Sequence, residues 1–560
     1  MAHDTGRWGW AGEFMTAIPA RLLALGVLLA VALAVQSPFI AGKAVFVSAD
    51  GTFHHSAVVQ VAAAHAEGIL YPRWLPGQNG GLGDASLMHY APLFHTLAAV
   101  LRPVGGGTAW GGMRVVFFLA TLLAGWVAFG WLREFLPARR ALLAAAVVAA
   151  NPLFLHMLLK AEAYPWACSL PVVIVFFRLL RRVDGTRLVL LPLAATIAVQ
   201  CFLHTITAFM LLVTAPLALA VAAWLQRETV PRTVRRMGQF GLSGLLGLAM
   251  AGVYLIPALT TLRYVTPGAW EFQQVCAPAQ SFALPLFSFW SYGMCWSSYQ
   301  ILFPGLSLLL LAAGVWAWRN PDAGQERGTL ADLLGFGGVA LLLSSELAWP
   351  LWTYVSTLRM VQFPFRFNFV ALAALLPVGV LVMGRWRWLA GPLVAASVLL
   401  TAALAGQALR GPGAVAPVET ARLQGMGNLG EYRPATAKPG YLGYLERGGF
   451  AAECAARGAE CQVVRQGSQW QEFRVRAGSA GAIRLPLFCY PAWEVAGGAG
   501  GASCDTATGL YEVRAAAGDN GFTARWKKLP EEQTGEWVSG AGVAAFLLLG
   551  LAGRFGGKTT

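Results

Sequence analysis

Residues 112–157 read GMRVVFFLATLLAGWVAFGW, then LREFLPARR, then ALLAAAVVAANPLFLHM. Two long apolar runs enclose a short basic connection. A helix needs about 20 apolar residues to cross the hydrocarbon core of a bilayer. Within that core only a helix or a closed barrel satisfies its own backbone. The stretch therefore predicts a transmembrane helical hairpin. Its Lys/Arg-rich turn is retained on the cytoplasmic side, which sets the direction of both helices.

Working outward, the same pattern recurs. The chain has 560 residues, of which only 12% are charged and 57% hydrophobic, with a mean hydropathy of +0.57. Soluble domains carry about 25% charged residues, so lipid is the solvent here. Spans are expected at 16–35, 112–131, 140–157, 164–181, 187–204, 206–226, 238–260, 300–318, 329–347, 367–384, 388–406 and 537–554. The first has a basic flank like a signal peptide, but it is too long for an h-region and lacks a small-residue cleavage site. It reads as an uncleaved span. The net charge of +14 sits in short clusters between spans, not in a stripe or a nucleic-acid-binding motif. Nucleic acid is therefore not an expected partner.

Every second connection is basic: LREFLPARR, RLLRRVDGTR, LQRETVPRTVRR, WRNPDAGQERG and GRWRW. These, with both termini, are expected in the cytoplasm. Segments 37–111, 158–163, the turn near His204, 261–299, 348–366 and 407–536 then face outward. Residues 91–101 are apolar but short, and read as a helix lying at the interface. If they did cross, a thirteenth span would result. From 407 to 536 long apolar runs give way to EFRVRAG, AIRLPLF and LYEVRAAAG, whose period-two alternation predicts a small β domain. The fold class is thus an all-α polytopic bundle over 1–406, an outward β-rich domain over 407–536, and a last span with its tail over 537–560.

Cysteines agree with this topology. Cys168 and Cys201 fall in spans, and six more fall outward as neighbouring pairs: Cys276 with Cys295, Cys454 with Cys461, and Cys489 with Cys504. An oxidising compartment permits these to be disulfides, and no CxxC spacing suggests zinc.

Outward loop 37–111 is the most polar part of the membrane domain. It holds His54, His55, His65, His89 and His95 together with Asp50, Glu67, Arg73 and Asp84. Asp50 precedes a helix-like stretch and suits either an N-terminal cap or, with His55, acid–base work or a divalent cation. Arg73 with Trp74 also suits a membrane-interface anchor. The motif GQNGGLGD lacks the GK[ST] of a phosphate loop; its glycines suggest tight turns that bring backbone close to a substrate. Other outward edges carry Lys160, Glu162 and Tyr164 in LLKAEAYP, His204 in FLHTITA, and Gln362 and Arg366 in VQFPFRFNF. Lys160 also suits simple snorkelling, whereas Arg366, held among aromatics, suits a bidentate grip on a phosphate. No HExxH-type metal motif occurs.

An acid shortly after the first span, in a long first outward loop, resembles the GT-C glycosyltransferases. More closely, ADGTFHHSAVVQVAAAHAEGILYPRWLPGQNGGLGD with YAPL is similar to bacterial membrane proteins named 6-pyruvoyl-tetrahydropterin synthase-related. The blocks AEAYPWACSLPVVI, LHTITA, QFPFRF and LPLFCYPAWEV…TGLYEVRAAAG extend the likeness over most of the chain. The resemblance implies a bacterial inner-membrane glycosyltransferase with a polyprenyl-phosphate-linked sugar as donor and a glycan, lipid or protein as acceptor. Asp50 would be its catalytic acid, with His55 and Asp84 beside it. Arg73, Lys160, Glu162, Tyr164, His204, Gln362 and Arg366 would bind substrate. The chain departs from the paired-acid pattern of the wider group at Asp50–Gly51, leaving Asp84 to supply a second carboxylate. The rival expectation is a transporter, flippase or assembly factor for lipid-linked glycans. A transporter would place its ionisable groups nearer the midplane and in repeated halves.

Overall fold

The computed structural model describes residues 9–43, 49–183, 189–266, 282–284, 286, 299–320, 326–384, 386–411, 432–498 and 500–555. Each of the twelve expected spans coincides with helix. Among the described residues eight helices are long and apolar enough to cross a membrane. Val230–Met250 and Gly252–Thr260, bent by 79°, make a ninth if counted as one span. The apolar helices Arg21–Val35 and Leu190–Leu203 are shorter.

Helix Phe367–Met383 runs through the centre. Its sequence, FNFVALAALLPVGVLVM, is apolar on every side, and 89% of its span window is buried. A helix without a polar face must be surrounded, and here Tyr299–Arg319, Glu326–Leu343, Arg387–Arg410 and Ala138–Ala149 surround it. The last helix, Pro530–Phe555, lies at the rim with only 11% of its window buried. It packs where Gly535 and Gly542 meet the backbone of Gly252 and Ala249–Met250, the small-residue contact that lets membrane helices approach closely. Ser539 Oγ donates to Met250 O at 2.9 Å and accepts from Val253 N at 2.7 Å. Residues 91–101 hold a helix of only eight residues, Leu93–Val100, about 12 Å long and too short to cross.

At the inner end, meaning the end where Thr205–Gln226 terminates, Arg236 ties four helices together. Its guanidinium pairs with Glu228 at 2.8 Å and Asp332 at 3.7 Å, and its Nε donates to Val183 O at 3.0 Å.

The β domain is a pair of antiparallel sheets. β1 (Ala459–Gln466), β2 (Trp470–Ala477), β7 (Gly518–Trp526) and β4 (Trp493–Gly497) form one sheet in the order β1-β2-β7-β4. β3 (Gly481–Phe488), β6 (Leu510–Ala515) and β5 (Ser503–Cys504) form the other, in the order β3-β6-β5. Alternate residues Phe473, Val475, Ile483, Leu485, Val513 and Phe522 point into the core between them. Its edges differ from the expected boundaries: helix Arg387–Arg410 overruns 407, and the last helix starts at Pro530, not 537. Cys454–Cys461 and Cys489–Cys504 are bonded, and Cys168 and Cys201 are buried free thiols. The expected pair Cys276–Cys295 lies outside the described residues.

This β core is not self-contained. Trp74, Leu82, Ala85 and Met88 of the first outward loop are part of it. Trp74 meets Tyr490, Trp493 and Trp526 at ring distances of 5.6, 5.8 and 6.1 Å. Gly83, at φ +79°, lies so close that a Cβ would stand 2.2 Å from Trp74 Nε1. The glycines of GQNGGLGD thus allow close approach as expected, but the approach is to the chain's own tryptophan.

Candidate functional site

Asp50 is the second residue of helix Ala49–Ala66. It opens on a cavity of about 1430 Å³, counting the space at its mouth. Lys160, His156, Arg366, Asn368 and Gln407 also line it, among Trp166, Phe303, Phe363, Phe365 and Phe369. One carboxylate and two cationic side chains thus share an aromatic-walled cleft. Amphiphilic ligands are commonly held in such concave, mostly apolar sites with a few convergent polar groups.

The backbone is unusual around this cleft. After Pro152–His156 the helix widens into a π turn, Met157–Ala161, and ends at Glu162 with φ 52°. Gln362, with φ 67°, precedes the turn Pro364–Arg366. Left-handed non-glycine residues cost energy and cluster at functional sites, and π turns behave likewise. Two of the four such residues among the described ones stand beside cavity-lining neighbours. Lys160 is carried on the π turn itself. His156, one turn earlier, shares its face by the i,i+4 spacing of a helix.

Arg366 is held firmly. Its Nη1 donates to Val361 O at 2.9 Å, and its guanidinium lies 5.0 Å from the Phe363 ring and 5.6 Å from the Trp166 ring. The Asp50 carboxylate accepts no hydrogen bond among the described residues. Burial pushes its pKa above the ordinary carboxylate value, and the charge of Arg366 opposes that rise. A partly desolvated carboxylate facing a cleft is a stronger base than one in water.

The remaining expected residues divide. Glu162 and Tyr164 are buried just behind the cavity wall, Tyr164 packed on Phe117 at 4.8 Å. His204 caps helix Thr205–Gln226, its Nδ1 accepting from Thr207 N at 3.2 Å, and its ring stacks on Trp166 at 5.9 Å. His55 is buried and off the cavity wall, and burial pushes its pKa down to about 4. Arg73 and Asp84 are nowhere near the cleft. Arg73 pairs with Glu532 at 3.2 Å, donates to Val253 O at 2.8 Å and covers the Tyr71 ring at 3.7 Å. Asp84 accepts from Ser86 N at 3.0 Å and Asn79 Nδ2 at 3.3 Å, under the β domain. It does not line the cleft.

Sequence reasoning passed over His156, Trp166, Phe303, Phe369 and Gln407. Only the i,i+4 pairing of His156 with Lys160 was a usable signal. Among the described residues no group of three or more His, Cys, Asp or Glu side chains is placed to hold a metal ion.

No family model matches the chain, and no curated protein matches it. Among solved structures it is similar to the arabinofuranosyltransferase AftD from Mycobacteria, at 16% identity and a TM-score of 0.42. That match covers 70% of this chain and 27% of AftD, so this chain spans about a quarter of that protein's length. It is also similar to ArnT from Cupriavidus metallidurans, solved bound to undecaprenyl phosphate, at 14% identity and a TM-score of 0.32, covering 80% of this chain and 96% of that one.

Proposed function

We propose that the protein is a membrane glycosyltransferase working at the outer face of a bacterial inner membrane, with a sugar on a polyprenyl phosphate as donor. The observation that carries this reading is the single cleft joining Asp50, Lys160 and Arg366 within aromatic walls. The acid in a long first outward loop, which resembles the GT-C enzymes, agrees with it. In the reaction an acceptor hydroxyl oxygen bonds to the anomeric carbon as the bond from that carbon to the phosphate oxygen breaks. Asp50 takes the hydroxyl proton, and the polyprenyl phosphate leaves with the bonding electron pair. Attack from the face opposite the phosphate inverts the anomeric configuration.

The charge that develops on the phosphate is met by Lys160 and Arg366, fixed donors aimed at the group whose charge grows in the transition state. Arg366 grips with a planar fork that lysine does not have. The aromatic walls take the first isoprene units, and the acceptor, a glycan, lipid or protein, enters at the outer mouth. Purified protein incubated with a panel of radiolabelled polyprenyl-phosphate sugars and membrane extract should transfer label from one donor. Arg366→Ala should lose that donor's binding in nanodiscs, and Arg366→Lys should not restore it. Absence of transfer from every donor, with unchanged donor binding in Arg366→Ala, would remove the reading in favour of a non-enzymatic role.

A further inference from the structure

The central helix Phe367–Met383 carries one polar residue, Asn368, in a sequence otherwise made of Phe, Val, Ala, Leu, Pro, Gly and Met. Asn368 stands in the first turn, is 3% exposed, and lines the cleft. Counted from Phe365, it and Phe369 fall at the i+3 and i+4 positions of one helical face, and all three border the cavity. An asparagine in a first turn commonly bonds its own backbone. Asn368 does not: its Oδ1 is buried and receives no hydrogen bond among the described residues. The indole Nε1 of Trp166, whose ring lies 5.7 Å from that of Phe369, is likewise buried with no acceptor among them.

Two such groups on one cleft wall are uncommon, because buried polar groups are normally paired. In a helix surrounded by apolar neighbours an unpaired amide costs free energy that leucine would not. What each group lacks indicates what would fill the space. A carboxamide offers an acceptor at one end and donors at the other, and rotation about its last bond exchanges the two. An ionised phosphate only accepts, so it satisfies the donor end alone. A hydroxyl both donates and accepts, and neighbouring ring hydroxyls of a sugar satisfy both ends of one planar amide.

We propose that Asn368 reads neighbouring hydroxyls of the donor's sugar, the part of the substrate that Lys160 and Arg366 do not address; this rests on the reading of the cleft as a site for polyprenyl-phosphate sugars. The cleft then divides its work. Lys160 and Arg366 hold the phosphate, which is common to the loaded lipid and to the bare lipid left after transfer. Asn368 tells the two apart, so the spent carrier is held less tightly than the next donor.

The test is binding of undecaprenyl phosphate, either bare or carrying glucose, mannose or arabinose, to the full chain in nanodiscs. Wild type should bind at least one glycosylated lipid about tenfold more tightly than the bare one, the worth of one or two neutral hydrogen bonds. Asn368→Leu should bind every lipid with the affinity of the bare one, which should itself be unchanged. It should also melt no lower than wild type, because leucine leaves no unpaired amide in the helix. Asn368→Ala, which cannot overfill the wall, should lose the same preference. Equal binding of bare and glycosylated lipids by wild type would overturn the proposal, as would a preference that survives in both variants. Equal weakening of bare and glycosylated lipids would overturn it too, by placing Asn368 on the phosphate. A large fall in melting temperature in both variants would make the amide a structural group and overturn it as well. Failure of wild type to bind any of these lipids is a different result: it would remove the reading of the cleft, and the proposal with it.

Discussion

The two ends of outward loop 37–111 are equally polar in sequence and opposite in physical state. At the far end Arg73 and Asp84 are buried and partnered: one in an ion pair with Glu532, the other bonded to Ser86 and Asn79. At the near end Asp50 faces a cleft and accepts no hydrogen bond among the described residues, with Lys160 and Arg366 across the space. Buried polar groups are normally satisfied. A satisfied group holds the fold together, whereas one facing a cleft has capacity left for a ligand. The first end is a seam, and the second is the candidate site.

The comparison breaks most directly at Asp50. Asp50→Asn should lower turnover by about 10²–10⁴, the usual range for loss of a general base, while donor binding persists. The stability effect runs the other way. Burial raises the folded-state pKa of Asp50, so its contribution to stability is present below the unfolded value and lost as pH rises through the folded one. A neutral amide escapes that loss, and the variant should melt no lower than wild type at pH 7. A large drop in melting temperature would place Asp50 with the seam.

Arg73→Met should do the reverse. It strands Glu532 as a buried charge, at a cost of about 3–5 kcal/mol, read as a lower denaturation midpoint. Adding Glu532→Gln should recover part of the loss, and a double-mutant cycle would measure the coupling. Turnover per folded molecule should change little, and a selective loss of turnover would make Arg73 part of the site after all.

The disulfides sharpen the seam side. Thiol alkylation with mass mapping should find Cys454–Cys461 and Cys489–Cys504 protected, Cys168 and Cys201 reactive only on unfolding, and should settle the expected Cys276–Cys295 pair. Replacing Cys489 and Cys504 by serine opens a 15-residue separation and should cost about 3 kcal/mol.

The smallest effect is at Asp84, whose pKa burial raises to about 7. The stability it supplies is complete below the ordinary carboxylate value and disappears as pH rises through about 7. Between about pH 6 and 8 the loss should be on the order of 1 kcal/mol, and Asp84→Asn should flatten that slope in melting curves.

Much of the fold was legible because membrane spans are written locally: about 20 apolar residues are a complete statement of a helix in lipid. The β domain was legible through EFRVRAG and LYEVRAAAG, where alternation becomes β2 and β6. Lys160 and Arg366 could be named because each is a charge at a span's edge, where charge needs a reason, and Asp50 because it is an acid in the most polar loop of the membrane domain. Trp166 and the cleft phenylalanines could not be named, since an aromatic in an apolar run looks the same whether it faces lipid, core or ligand. The role of GQNGGLGD was misplaced for a related cause. Its glycines announce close approach, but not what approaches, and Trp74 with the β core fills the space.

The sequence by itself therefore determined where the long apolar helices fall, which segments lie between them, and where a β domain is inserted, because each depends on the period and length of a local pattern. Only the tertiary structure decided which polar residues meet. Asp50 and Arg366 are more than 300 positions apart, and they face one cleft because Phe367–Met383 is packed at the centre of the bundle. Arg73 and Asp84, far nearer in the chain, are drawn away by the β domain and the last helix. Long-range packing in three dimensions set those pairings, and no spacing along the chain records it.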